Sequence, residues 1–133
     1  MADASYPDEL LYHDQHDWAR IDPAQPGEAT LGITWYAQDS LGEVVFYDPP
    51  EVGATVDKDA SYAEVESVKA VSDVIAPMSG EIVEVNDSLE DTPEKINEDP
   101  YGDGWLVKVK LSHPEERGAL LGADEYRKLL ENG

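Results

Sequence analysis

Cysteine is absent from this chain. That removes disulfides, thiolate metal sites and cysteine nucleophiles together, so any sulfur redox chemistry must come from a cofactor. Basic residues are scarce: 9 Lys+Arg stand against 30 Asp+Glu, for a formal net charge of −21. Phosphate contacts need lysine and arginine, so nucleic-acid binding is disfavoured. No apolar run is long enough to cross a bilayer. The N-terminal MADASYPDEL lacks the basic-then-apolar order of a signal peptide, which makes a cytoplasmic protein without a membrane partner the expectation. There is no phosphate-cradling glycine loop, and Ser79-Gly80 lacks the flanking glycine of a nucleophile elbow. Nothing in the chain reads as a self-sufficient catalytic site.

What is present suffices for a folded domain. At 133 residues, with 41% hydrophobic content and three Trp, residues 1–133 are expected to form one domain around its own core despite the charge. So much like charge would push the fold apart at low ionic strength and is screened at high salt. Because the carboxylates are spread along the whole chain, the expectation is a salt-rich cytoplasm such as that of halophilic archaea.

Short strands with turn signals between them dominate the pattern. Residues 1–16 read as a lead-in with few apolar residues. Trp18 to Ile21 is a short strand, closed by the Pro/Gly stretch 22–27. Ala29, Leu31 and Ile33 alternate as in a strand. Thr34 caps a short helix through Leu41, ended by Gly42. Val44 to Tyr47 is an apolar strand stopped by Asp48-Pro49-Pro50, and Glu81 to Val85 is another. The long polar connection 86–104 has room for one helical turn after Pro93, and a connection of that length is functional or well packed. Trp105, Val107, Val109 and Leu111 alternate with Lys108 and Lys110 in a half-buried strand. Residues 123–131 read as a C-terminal helix, with Tyr126, Leu129 and Leu130 at helical spacing. The fold class predicted is mainly β, a sandwich or flattened barrel with short helices. An internal echo, Pro50-x-x-Gly53-x-x-Val56 and Pro77-x-x-Gly80-x-x-Val83, is what two similar half-units would leave.

Lys69 is the most informative residue. It interrupts two stretches of short apolar and β-branched residues in SYAEVESVKAVSDVIAPMSGEIVEVN, a layout that puts one long amine at a hairpin tip. Ser67, Val68 and Ala70 are small or slim neighbours that leave room for a modifying enzyme. Gly80 permits a tight turn that would let the hairpin protrude. The segment His13-Asp14-Gln15-His16-Asp17 holds two His with interleaved Asp, but its metal-ligand spacing is weak, and a solvated acidic loop is the better reading. The pairs Glu90-Asp91 and Glu98-Asp99 read as hydrated surface.

These residues resemble one family over nearly the whole chain, the H protein of the glycine cleavage system. The likeness runs from His16-Asp17-Trp18 through LGITWYAQDSLGEVVFYDPPEVGATV and VESVKAVSDVIAPMSGEIVEVN to NEDPYGDGWLVKVK and the helix with Ala123-Asp124-Glu125-Tyr126. The resemblance implies the lipoyl-carrier version of the sandwich, with lipoate in amide linkage on Lys69. It implies a non-catalytic, monomeric shuttle. That shuttle would accept the aminomethyl group of glycine from the pyridoxal-phosphate P protein (glycine decarboxylase) and yield its methylene to the folate-dependent T protein (aminomethyltransferase). The L protein (dihydrolipoamide dehydrogenase) would reoxidise it. Glu66, Val68, Ala70 and Gly80 match positions read by the lipoylating enzyme, and Asp17 and Asp73 match the cleft that shelters the loaded arm. Asp17 is one methylene shorter than the family's usual Glu. Trp35 stands where Asp or His is usual, and Gln15 where a smaller or different polar residue often lies.

Two relatives of that architecture compete. A biotinyl carrier usually has Met on both sides of the lysine, where Val68 and Ala70 stand here. A lipoyl domain of a 2-oxo acid dehydrogenase usually has Asp before it. Neither accounts for His16-Asp17-Trp18 or NEDPYGDGW. An H-like donor in lipoate relay stays open as an alternative duty.

Overall fold

The computed structural model describes residues 6–21 and 23–132; the first residues of the lead-in and the position at 22 in the predicted turn lie outside them. Among the described residues nine strands form two antiparallel sheets. The larger takes Leu11–His13 (β1), Asp17–Ile21 (β2), Glu28–Ile33 (β3), Thr55–Val56 (β5), Gly80–Val85 (β8) and Val107–Leu111 (β9), in the order β1-β2-β3-β9-β8-β5. The smaller takes Val44–Asp48 (β4), Ser61–Ser67 (β6) and Val71–Ile75 (β7), in the order β4-β6-β7.

The alternation read in the sequence is the alternation of faces. Ala29, Leu31, Ile33, Val107, Val109 and Ile82 of the larger sheet meet Val65 and Val74 of the smaller one in a common core. This is the sandwich expected from short amphipathic strands, each with only one face to bury. Helix α1, Trp35–Leu41, begins at the Thr34 cap, whose hydroxyl accepts the Ala37 N–H at 3.3 Å. It stops at Gly42, in the left-handed region at φ 83°, a conformation glycine adopts without Cβ strain.

The connection 86–104 is packed rather than loose. A 3₁₀ turn at Asp87–Glu90 buries Leu89, and one turn of helix, Lys95–Glu98 (α2), buries Ile96. A second 3₁₀ stretch, Pro114–Ala119, and the C-terminal helix α3, Ala123–Asn132, complete the chain.

Three readings change. Residues 10–13 are structural, not a lead-in: β1 pairs with β2, and Leu10 and Tyr12 are fully buried. They join Trp18, Ala123 and Tyr126 in a second cluster on the other side of β2, beneath α3. Leu10-Leu11-Tyr12 was too short an apolar run to show this. Gly80 does not shape the lysine turn. It opens β8, where an added Cβ would collide with the Lys110 carbonyl oxygen, so its lack of a side chain serves the close approach of β8 to β9. The echo marks two crossings, from β4 to β5 and from β7 to β8, each from the smaller sheet to the larger. Its glycines differ, since Gly53 sits in open space at φ 96°.

Candidate functional site

The β6–β7 hairpin turns over Ser67-Val68-Lys69-Ala70, and every backbone N–H of the turn is held. Ser67 N–H donates to the Ala70 carbonyl at 2.8 Å, and Val68 N–H donates to the Glu43 carbonyl at 3.0 Å. Lys69 and Ala70 donate to the Ser67 hydroxyl oxygen at 3.2 and 3.1 Å. The Lys69 side chain, by contrast, is exposed, and among the described residues no ion pair holds its ammonium. Its methylenes pass over the end of α1, with Cε 3.6 Å from where a Cβ on Gly42 would stand.

The floor beneath that passage is fixed by Asn97 of α2. Its amide donates to the carbonyl of Gly42 at 2.8 Å and to Gln38 Oε1 at 3.0 Å, and its oxygen accepts the Val44 N–H at 2.8 Å. One side chain thus clamps the end of α1 to the start of β4. Nothing in its polar surroundings singled it out in the sequence.

Beside the hairpin, between α1 and the edge strand β7, lies a cleft of about 310 Å³. It is lined by Asp17 and Asp73, the two residues expected in a cleft, together with Gln15 and Ala70. Ser40 and Tyr36 of α1, with the neighbouring His16, line it too and were not anticipated. The i, i+4 relation of Tyr36 to Ser40 was the available signal, since it puts both on one helix face. Trp35 is not among the lining residues; its N–H donates to the Tyr101 hydroxyl at 2.9 Å at the start of α1. Glu66 lies on β6, and Val68 projects from the hairpin with 67% exposure. Gly80 is buried.

Asp17 is the most perturbed group of the cleft. It is 2% exposed, and its Oδ2 has no hydrogen-bond partner. Burial pushes its carboxyl well above the usual range, against the pull of the Ile75 backbone N–H, and the Asp14 charge adds to the rise. A carboxyl kept in that state gains from an incoming cation, which supplies the missing partner.

His16 stands next to it in the left-handed region at φ 73°. Its Nδ1 lies 2.8 Å from the Tyr126 hydroxyl, which is in turn 2.8 Å from the Thr34 hydroxyl. Burial lowers the His16 pKa. The segment is therefore not the solvated loop expected. His13 is buried, accepts the Gln15 N–H on Nδ1 at 3.0 Å and meets Asp59 through Nε2 at 2.6 Å. With Nδ1 accepting, Nε2 carries the proton, so His13 is a strut between two turns. No group of three or more metal-ligating side chains occurs among the described residues.

The remaining candidates stay outside the site. Ser79 donates from N–H and hydroxyl to Glu116 at 2.7 and 2.9 Å, and Glu90, Asp91, Glu98 and Asp99 are exposed.

A two-sheet sandwich that lifts an exposed lysine on a pinned hairpin, beside a cleft whose floor holds the buried Asp17 carboxyl with one oxygen unpartnered among the described residues, has the architecture of a carrier protein. The family model described as glycine cleavage H-protein matches residues 10–133, and the chain belongs to that family. It is 52% identical to the glycine cleavage system H protein of Rubrobacter xylanophilus, covering 96% of this chain and 97% of that one. It is 53% identical to the mitochondrial H protein of Flaveria pringlei over 93% of this chain and 75% of that one. The crystal structure of a glycine cleavage system H protein from Mycobacterium marinum superposes with a TM-score of 0.86 at 44% identity, covering 95% of this chain and 99% of that one.

Proposed function

We propose that this protein is the lipoyl-bearing shuttle of the glycine cleavage system, passing the aminomethyl group of glycine from the P protein to the T protein and being reoxidised by the L protein. The observation that carries the reading is Lys69, exposed and with no ion pair among the described residues, at the tip of a hairpin whose backbone N–H groups are all bonded. Lipoate in amide linkage there would supply the disulfide–dithiol exchange that a chain without cysteine cannot perform.

The residues suit that group. The Lys69 amine is open to an acylating enzyme, with Glu66, Val68 and Ala70 on the same hairpin. The cleft offers an apolar wall, including Ile33, Leu41, Val65 and Val74, and a polar floor. Asp17, which accepts the Ile75 N–H and has one free oxygen, is placed to hold a protonated amine, and Asp73 adds a second carboxylate at the rim. Burial of the floor keeps water from that amine. The protein contributes placement and shelter, and the reactions belong to its partners, so the role is that of a non-catalytic, monomeric domain. The excess of carboxylates supports a salt-rich cytoplasm as its setting.

Intact mass and a peptide map of protein from its native host test the attachment. A single lipoyl adduct on Lys69 is expected, and a biotinyl adduct would overturn the reading. A reconstituted assay of the fully lipoylated protein with P, T and L proteins should then form NADH on addition of glycine. No NADH would favour duty as a lipoyl donor in relay. Stability measured in dilute buffer and in molar KCl checks the setting: equal values would dismiss the salt-rich cytoplasm.

A further inference from the structure

The chain has one phenylalanine, and it is not in the core. Phe46 is 48% exposed, as is Val45 beside it, and Val71 is 57% exposed. With Val68, these are four of the seven large hydrophobic side chains that stand exposed among the described residues. They converge on the lysine hairpin. A bulge in the β4–β6 pairing between Val44 and Phe46 turns two consecutive apolar residues outward, the kind of local re-aiming that bulges provide. Phe46, Glu66 and Val71 then form one cross-strand row on the outer face of the smaller sheet. Val68 is tied to the start of β4 through the Glu43 carbonyl.

The next row on that face is Asp48, Glu64 and Asp73. Like charges directly opposite one another destabilise a sheet, and no lysine or arginine is paired with any of the three among the salt bridges of the described residues. The face is therefore an apolar strip next to Lys69 with carboxylates behind it. In a chain of charge −21, apolar groups gathered at one point rather than scattered mark an interaction surface.

We propose that Val45, Phe46, Val68 and Val71 form the docking patch for the enzyme that acylates Lys69, and that its matching face has an apolar centre within a basic rim. The inference rests on the carrier reading of Lys69. Its occupant follows from distance. In acylation the deprotonated Lys69 Nζ attacks the carbonyl carbon of an activated acyl group, held as a mixed phosphoric anhydride or a thioester. The C–N bond forms, the bond to phosphate or sulfur breaks with its electron pair leaving on that group, and the nitrogen loses its extra proton to solvent. That requires the enzyme to close upon the residues flanking the amine. Enzymes that use the far end of an attached arm need no such contact. The carboxylate rows supply the complement to a basic rim.

The test is steady-state lipoylation of the unmodified protein by a purified ATP-dependent lipoylating ligase. Phe46→Ser should raise KM about tenfold with kcat nearly unchanged, since about 1.4 kcal/mol of lost apolar contact is a factor of ten. Val52→Ser and Val83→Ser, exposed but away from the hairpin, should leave KM unchanged. Phe46→Leu, which keeps the patch apolar, should retain most of the affinity and covers the case in which the serine variant misfolds. Acetylation of Lys69 by a small N-hydroxysuccinimide ester should be equal in all variants. An unchanged KM in folded Phe46→Ser would overturn the proposal, as would an equal loss in the small-reagent reaction. A loss confined to turnover with the P protein would overturn the choice of occupant. Failure of the ligase to acylate the wild-type protein at all would overturn the carrier reading and the patch with it.

Discussion

The lysine hairpin and the aromatic cluster under α3 are built on opposite principles. Around Lys69 the side chains are exposed while every backbone N–H of the turn is bonded. In the cluster the side chains carry the order: Tyr12 and Tyr126 stack at 4.8 Å, Tyr6 meets Tyr126 edge-on at 5.3 Å, and Trp18 donates to the Pro100 carbonyl at 3.0 Å. The cluster ties β1, β2 and α3 together and, through the Tyr126 hydroxyl, fixes His16 at the rim of the cleft. The lesson is a division of labour. The presenting end contributes little to stability, and the anchoring end touches presentation only through His16 at the rim of the cleft.

The largest separation of the two should come from Lys69→Arg. It keeps the charge but removes the acylated amine, so all lipoylation by mass and all glycine-dependent NADH formation should vanish. The melting temperature should stay within error, because the side chain is exposed and has no ion pair. Tyr126→Ala should do the reverse. Loss of a buried aromatic costs about 3–5 kcal/mol, read as a fall in the urea midpoint, while lipoylation per folded molecule stays near wild type. If Lys69→Arg lowered stability as much, the comparison would break.

Gly80→Ala tests the ground between the two regions. The added methyl meets a backbone oxygen rather than a flexible side chain, so β8 or β9 must shift, at about 1–3 kcal/mol by analogy with overpacked cores. Gly118→Ala, with nothing within 4 Å, is the neutral control. A lipoylation defect in Gly80→Ala that persists after correction for the folded fraction would assign Gly80 a role in recognition as well.

The smallest effect is a slope. The folded state holds the Asp17 carboxyl well above its ordinary 3.8. Below that value both states are protonated and Asp17 contributes nothing. As pH rises between the ordinary and the folded-state values, the unfolded chain ionises first and stability falls, at no more than about 1.4 kcal/mol per pH unit. Asp17→Asn lacks this titration. Its stability relative to wild type should therefore climb as pH rises through that window and level off above it. A difference that does not change with pH would remove the buried-acid account of the cleft floor.

How far such features can be read in advance depends on whether the forces are local. The cap of Thr34, the stop at Gly42, the alternation of Ala29, Leu31 and Ile33 and the hairpin around Lys69 depend on neighbours within a few residues, and all were legible. The resemblance implied a cleft with Asp17 and Asp73, and both line one cleft here, with Gln15 beside them. Contacts that join distant segments left no trace. Asn97 holds α1 from 55 residues away, the bond of Asn97 to the Gly42 carbonyl being the clearest case. Tyr12 and Tyr126 stack across more than a hundred residues. Gly80 was recognised as special for its residue type, but its reason, a backbone oxygen of β9, lies on another strand.

The pinned turn has a consequence for how the protein meets successive partners. Ordering a backbone residue costs on the order of 1–2 kcal/mol, and at residues 67–70 that cost is met once, at folding. Each encounter then has to immobilise only the rotors beyond the Lys69 Cα. The anchor point is also the same for every partner, so the shell swept by any group attached to Nζ has a radius set by its own bonds alone. Its effective concentration at a docked site becomes a property of tether length, open to adjustment without touching the fold.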